Sequence, residues 1–196
     1  SSLNYHDIFT RRGMPGIKLN MPVIPGLDVA GEIAEIGADV SGWSVGDRVL
    51  IDPRNRVEGG LMGETTNGGL AEYCRAPAHQ LVHMPNGVTF EEAASLPVAY
   101  GTAHRMMVTQ GQISDGERCL VLGASGGVGV AAVELGKFMG AEVIAGASSE
   151  EKLQFAKKAG ADFLVNYING DLKTKIKEMT NGKGADVIYD PVGGDL

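Results

Sequence analysis

Cysteine is almost missing from this chain, with Cys74 and Cys119 the only two in 196 residues. That excludes a disulfide framework and a thiolate metal cluster, and it fits a reducing, cytoplasmic compartment. Basic charge is scarce as well. Seventeen Lys and Arg against 24 Asp and Glu leave a net charge of −7 and a sequence pI near 5.1. Neither nucleic acid nor an anionic membrane is therefore expected as a partner, because both need a basic face. Long apolar runs are lacking too. The most apolar region, residues 119–133, is broken by glycines and ends at Glu134, so a buried strand and helix explain it better than a membrane span. The N-terminus shows no signal-peptide pattern, and no internal repeat is visible. Glycine, by contrast, is abundant: 29 of 196 residues, about twice the usual ~7%. With 43% hydrophobic residues, the chain can bury a core as one large domain or two small ones.

The stretch Arg118 to Ala147, RCLVLGASGGVGVAAVELGKFMGAEVIAGA, runs strand, glycine turn, helix and second strand. Residues 119–122 suit a strand buried on both faces, and Gly123, Gly126 and Gly129 punctuate the turn into a small-residue helix. The turn must be tight, a backbone must approach a pyrophosphate without an intervening Cβ, and the helix must lie close on the strand. Free N–H groups near Gly127 and Val128 would then face phosphates. Gly140 sits where a helix C′ glycine belongs, and Ser148 with Glu151 spells a capping box for the next helix. A dinucleotide site is the expectation. The alternative is a purely structural glycine turn.

The two halves differ in texture. Between about Leu27 and Gln80, the segments DVAGEIAEIG, GDRVLI and GGLAEYCRA read as short strands of an all-β or barrel-like domain. Residues 52–69, DPRNRVEGGLMGETTNGG, read as a surface loop. The segment Glu91 to Val108 reads as a helical hinge. Beyond it, strands are expected at about 119–122, 142–145, 163–166 and 186–190, with helices near 127–139, 149–159 and 171–180. Leu172, Ile176 and Met179 form one buried helical stripe. Such alternation implies a parallel, doubly wound α/β sheet.

The order PGLDVAGEIAEIG, GDRV, LPVAYGTAH, VLGASGGVG and YDPVGG resembles the medium-chain dehydrogenase/reductase superfamily, and within it the zinc-independent quinone oxidoreductases of the zeta-crystallin type. The resemblance implies a partial GroES-like β-barrel catalytic domain over residues 1–90. It implies a partial Rossmann domain over residues 91–196, with further chain expected before the first residue and after the fourth Rossmann strand. It also implies hydride transfer from NADPH to a quinone or another α,β-unsaturated carbonyl, and a homodimer in the full-length protein.

Zinc-dependent relatives place a cysteine near the position of Asn4 and a His-Glu pair where this chain has Leu27 and Asp28. Asn4 and Leu27 are not zinc ligands, and a lone carboxylate cannot assemble a three-ligand site. Where those relatives carry four cysteines, residues 52–69 have none. His79 and His83 lie four apart without a third ligand, so no metal is expected. Without a metal, Tyr5 is the candidate to polarise the acceptor or supply a proton, with Asn4 orienting nicotinamide or substrate. The alternative for Tyr5 is plain packing. The tyrosine of enoyl-thioester reductases, expected near Met14 and Pro15, is missing.

For the cofactor, the resemblance points to Thr102 in AYGTAH, to Ser125, Gly126, Gly127, Val128 and Gly129 as the phosphate cradle, and to Val192 beyond the fourth strand. NAD-specific sites carry an acidic residue at the tip of the second strand to bind the ribose 2′-hydroxyl. Here that tip reads Gly146-Ala147-Ser148-Ser149. Lys152 on the next helix and Tyr167 after the third strand occupy positions where quinone oxidoreductases hold a 2′-phosphate, so NADPH is expected over NADH. Two other readings remain open: a catalytically silent NADPH-binding or RNA-associating relative, and a zinc-type alcohol dehydrogenase.

Overall fold

In a computed structural model that describes residues 1–17, 19, 21–169 and 171–194, the chain divides into two units, Ser1–Val98 and Ala99–Leu196. The second is built on strands β4 (Arg118–Leu122), β5 (Glu142–Ala147), β6 (Phe163–Asn166) and β7 (Val187–Tyr189). They form one parallel sheet in the order β6-β5-β4-β7. Helix α4 (Gly127–Phe138) joins β4 to β5, α5 (Glu150–Lys158) joins β5 to β6, and α6 (Leu172–Met179) joins β6 to β7.

Alternate strand residues feed two cores. Cys119, Val121, Val143 and Ala145 pack with Ala131, Ala132 and Val133 of α4, Ala156 of α5, and Ala103 and Met107. Leu120, Leu122, Ile144 and Val165 pack on the opposite face with Ile176, Leu172 and Met179 of α6. Helices therefore cover both faces, which explains why β4 and β5 are continuously apolar. Burial pushes the Cys119 thiol up to about 11, leaving it a small core hydrophobe.

One expectation shifts by a residue. The cap of α5 is Ser149, not Ser148: its hydroxyl accepts from the Lys152 backbone N–H at 3.4 Å. Ser148 is free for another partner.

The first unit holds strands β1 (Ala30–Glu32), β2 (Arg48–Ile51) and β3 (Leu81–His83) in one antiparallel sheet. Helix α1 (Tyr5–Arg12) precedes it, and α2 (Phe90–Ala94) packs on β1. Helix α3 (Pro97–His104) follows, then a π-helical turn, Arg105–Gln110. The hinge segment is thus three short helical pieces.

One expectation fails here. GGLAEYCRA contains no strand. Its backbone is instead committed to residues 24–26: Gly68 N–H donates to Ile24 at 2.7 Å, Gly69 to Gly26 at 2.9 Å and Leu70 to Pro25 at 3.0 Å. A Cβ on Gly68 would sit 2.2 Å from the Gly26 carbonyl oxygen, so the two backbones approach closely only because the residue is glycine. Residues 52–69 carry no named strand or helix, as expected of a loop, but the loop is tied to itself. Asn55 Oδ1 accepts from the Val57 and Glu58 N–H groups, Thr65 Oγ1 accepts from Leu61 N–H at 2.7 Å, and Met62 is buried.

Candidate functional site

All four parallel strands end on one edge of the sheet. Because β5 and β6 lie to one side of β4 and β7 to the other, the loops after β4 and β7 part there, and this switch point is where open α/β sheets bind ligands. Val192 stands beside Gly123 at that point. A Cβ on Gly123 would lie 2.4 Å from Val192 Cγ2, and the Val192 and Gly193 N–H groups are held by Asp190 Oδ1, each at 2.9 Å.

The glycines divide the work of the turn. Gly123 takes φ +60°, and a Cβ on Gly129 would sit 2.2 Å from the Gly123 carbonyl oxygen, so Gly129 keeps α4 tight on the strand. Gly126 is different: a Cβ there would meet only that same carbonyl oxygen, at 3.4 Å. The protein's own packing leaves that position room, as a cradle for a ligand requires. Gly126 also caps α4, and the first intrahelical donor is Val130 N–H, to Gly126 at 2.8 Å. The N–H groups of Gly127, Val128 and Gly129 therefore lack helical acceptors and mark the positive end of the helix. Ser125 is half-buried, and Gly126 and Gly127 are exposed.

At the β5 tip, four candidate residues come together. Lys152 Nζ reaches back to Ser148 Oγ at 3.0 Å. Tyr167 N–H donates to Ala147 at 3.2 Å, and the Tyr167 ring lies 3.4 Å from where a Gly146 Cβ would stand. Glu150 is turned along its helix to accept from Gln154 Nε2 at 2.6 Å. A second cation went unread in the sequence: Lys175 Nζ donates to the carbonyls of Asn166, at 3.3 Å, and Asn169, beside Tyr167. Thr102 is exposed on α3. Nearby, Tyr100 donates to Glu134, and burial together with that carboxylate pushes its phenol up to about 12.

In the first unit, Asn4 precedes α1 and Tyr5 begins it. Asp28, buried, accepts from Ser2 Oγ at 2.6 Å and Asn4 Nδ2 at 2.8 Å on one oxygen, and from Val98 N–H at 2.8 Å on the other. Asp7, also buried, accepts from Asn4 N–H at 2.8 Å and Gly26 N–H at 2.9 Å. The Asn4 amide nitrogen is thus already committed to Asp28. Tyr5 is 77% exposed, its ring 6.1 Å from that of Phe9. His6 Nε2 lies 2.6 Å from Glu64 Oε2, a pair that sequence spacing could not reveal.

Comparison with known proteins places these two units. The family model "Alcohol dehydrogenase GroES-like domain" matches residues 1–86, and "Zinc-binding dehydrogenase" matches residues 127–196. A quinone oxidoreductase-like protein 2 homolog of Nematostella vectensis is 37% identical over 99% of this chain and 50% of its own length. The Escherichia coli quinone oxidoreductase, solved in complex with NADPH, superposes with a TM-score of 0.86 at 30% identity, over 98% of this chain and 56% of that one. An NAD-dependent alcohol dehydrogenase superposes at 0.89 with 36% identity, over 96% and 59%. The chain belongs to the medium-chain dehydrogenase/reductase superfamily, among its quinone oxidoreductase-like members. Its two units are a GroES-like domain and a Rossmann domain. As a member of that superfamily it spans about half the length of the curated relatives it matches.

The zinc named by the second family model has no ligand set to sit in among the described residues, where no three His, Cys, Asp or Glu side chains gather. His79 Nε2 pairs with Asn55 Oδ1 at 3.1 Å, and the His83 ring packs on Trp43 with centroids 4.2 Å apart. The two histidines serve different neighbours. No described helix is long and apolar enough to cross a membrane.

Proposed function

We propose that the protein to which this chain belongs is an NADPH-dependent oxidoreductase that delivers hydride, without zinc, to a quinone or another α,β-unsaturated carbonyl. The observation that carries the reading is the gathering of Ser148, Lys152 and Tyr167 around an acid-free β5 tip, beside a Gly126 position that accepts a Cβ yet is left bare. These residues fit the cofactor: free N–H groups of α4 suit a pyrophosphate, and Lys152 with the serine hydroxyl suits a 2′-phosphate. Thr102 and Val192 would border the nicotinamide half. Bound NADPH would supply the hydride, and a conjugated acceptor takes it without a Lewis acid, whereas a saturated ketone generally needs a metal or a strong proton donor. Asn4 and Tyr5 are the residues proposed to meet the acceptor. The solved NADPH complex of a 30% identical quinone oxidoreductase supports the cofactor choice.

The test is an acceptor panel with the full-length protein. NADPH oxidation is expected with 1,4-naphthoquinone and with 2-cyclohexenone but not with simple saturated ketones, and elemental analysis is expected to find well under one zinc per chain. Turnover of saturated ketones alone, with stoichiometric zinc, would overturn the reading in favour of an alcohol dehydrogenase. Tight NADPH binding with no acceptor turned over would replace it with a silent binder.

A further inference from the structure

Asparagine is followed by glycine at four places in the chain: Asn67–Gly68, Asn86–Gly87, Asn169–Gly170 and Asn181–Gly182. The pairing is chemically unstable. Glycine has no side chain to hinder its own backbone nitrogen, which attacks the preceding asparagine's side-chain carbonyl wherever its N–H is not engaged and the backbone is free to bend. Gly170 lies outside the described residues. The fold treats the other three pairs differently, and two of them are locked. Gly68 is buried, and its N–H donates to the Ile24 carbonyl at 2.7 Å while Asn67 Oδ1 accepts from Ile24 N–H at 3.0 Å. One residue thus holds both the attacking nitrogen and its target. Gly182 N–H donates to the Lys177 carbonyl at 2.7 Å, in the turn that ends α6, so it too is engaged. The third pair is open. Val88 N–H reaches the Pro85 carbonyl at 3.5 Å and Gly87 takes φ +85°, the pattern of a type II turn, whose single internal bond leaves the third residue's N–H to solvent. Asn86 and Gly87 are both exposed, the Gly87 N–H has no acceptor among the described residues, and a side chain at Gly87 would meet nothing within 4 Å.

We infer that Asn86 is a site of spontaneous deamidation in the folded protein, selected over Asn67 and Asn181 by the open Gly87 amide. The Gly87 nitrogen gives its proton to water or hydroxide and attacks Asn86 Cγ. The new N–Cγ bond forms as the Cγ–Nδ2 bond breaks, and ammonia leaves a cyclic imide spanning residues 86 and 87. Water then opens the imide at one carbonyl or the other, giving aspartate or isoaspartate. No electrons are exchanged, and solvent is the sole co-reactant. Either product adds a negative charge to a chain whose net charge is already −7. Isoaspartate also lengthens the backbone by a methylene just before two engaged residues: Val88, whose carbonyl accepts from Arg48 Nη2 at 2.7 Å, and Thr89, whose hydroxyl accepts from Glu92 N–H at 3.2 Å at the start of α2. This chemistry is independent of the reaction proposed above.

The experiment incubates the full-length protein in buffers of rising pH, native and in concentrated urea, with heavy-oxygen water to mark the acids formed during incubation. Peptide mass spectrometry then follows amide-to-acid conversion at Asn67, Asn86 and Asn181. In the native protein Asn86 is expected to convert about tenfold faster than either of the others, because attack there must wait for a backbone hydrogen bond to open. Its rate is expected to rise with pH, since the attacking nitrogen must lose a proton. In urea the three rates are expected to draw together.

An Asn86 that stays an amide in the native protein while urea converts it overturns the assignment, for the turn would then protect it. Native conversion of Asn67 or Asn181 at the pace of Asn86 overturns it equally, since backbone hydrogen bonding would not decide the rate. A lead of Asn86 that persists undiminished in urea would belong to the neighbouring sequence rather than to the fold, and overturns selection by the open amide.

Discussion

The Rossmann unit and the GroES-like unit are stabilised by different physics, and only one of them is written locally in the sequence. In the Rossmann unit, β4 and β5 bury apolar side chains on both faces, and helices from neighbouring segments cover them. Each βα step carries its own punctuation, and the pattern repeats. In the GroES-like unit the sheet has three short strands among the described residues, and much of the organisation is polar. Two buried carboxylates, Asp7 and Asp28, gather five donors from three regions of the chain. A glycine-rich segment lays its backbone directly on residues 24–26. One unit resists damage through redundant apolar area, whereas the other depends on single groups.

The largest expected effect follows from that dependence. Asp28→Ala leaves the Ser2 hydroxyl, the Asn4 amide and the Val98 N–H without their buried acceptor, and is expected to destabilise the GroES-like unit by about 3 to 5 kcal/mol, as removing one partner of a buried charged network does. Denaturant unfolding checks it. A loss under about 1 kcal/mol would mean that water replaces the carboxylate and that the unit is less brittle than its hydrogen bonds imply.

The legible part of the fold follows the same division. Strands near 119–122, 142–145 and 163–166 and their helices lie within a few residues of expectation, because an apolar run or helical stripe is a local property. Helix α1 was not read, although its signals are present: Asn4 precedes it, Asp7 stands in its first turn, Arg11 and Arg12 in its last, and Gly13 closes it at φ +75°. The segment GGLAEYCRA was misread because its backbone partners lie about 40 residues away at Ile24, Pro25 and Gly26. Of the candidate site, the glycine turn and the β5 tip were legible. The His6–Glu64 pair was not, since it joins residues 58 apart, and Lys175 was not, since its hold on the Asn166 and Asn169 carbonyls belongs to no motif.

A second test separates packing from ligand space within the Rossmann unit. Gly129→Ala drives a Cβ to 2.2 Å from backbone oxygen, and it is expected to destabilise the unit by about 3 kcal/mol, at the upper end of overpacking. Gly126→Ala meets nothing closer than 3.4 Å. It is expected to stay within about 0.5 kcal/mol of wild type while losing NADPH affinity, because the new methyl would fill the proposed phosphate cradle. Thermal melts with and without NADPH decide it. If Gly126→Ala binds NADPH normally, the bare position is not reserved for a ligand.

The smallest effect falls on the cofactor rather than on the fold. Among the described residues Lys152 Nζ donates to a serine hydroxyl, 3.0 Å away, and to no carboxylate, so removing it should leave stability within about 0.5 kcal/mol. A charge-assisted bond to a 2′-phosphate is worth on the order of 1.5 to 3 kcal/mol, or about ten- to a hundredfold in affinity. Lys152→Ala is therefore expected to weaken NADPH by that factor and NADH hardly at all. Lys175 sits beside Tyr167 and is held by two backbone carbonyls. The double variant with Lys175→Ala distinguishes two arrangements: an additive further loss means that both cations face the phosphate, and no further loss means that Lys175 only braces the β6 tip. Titration of both cofactors into each variant provides the readout. Equal losses for NADPH and NADH, or a wild type that prefers NADH, would show that the acid-free strand tip does not select the phosphate.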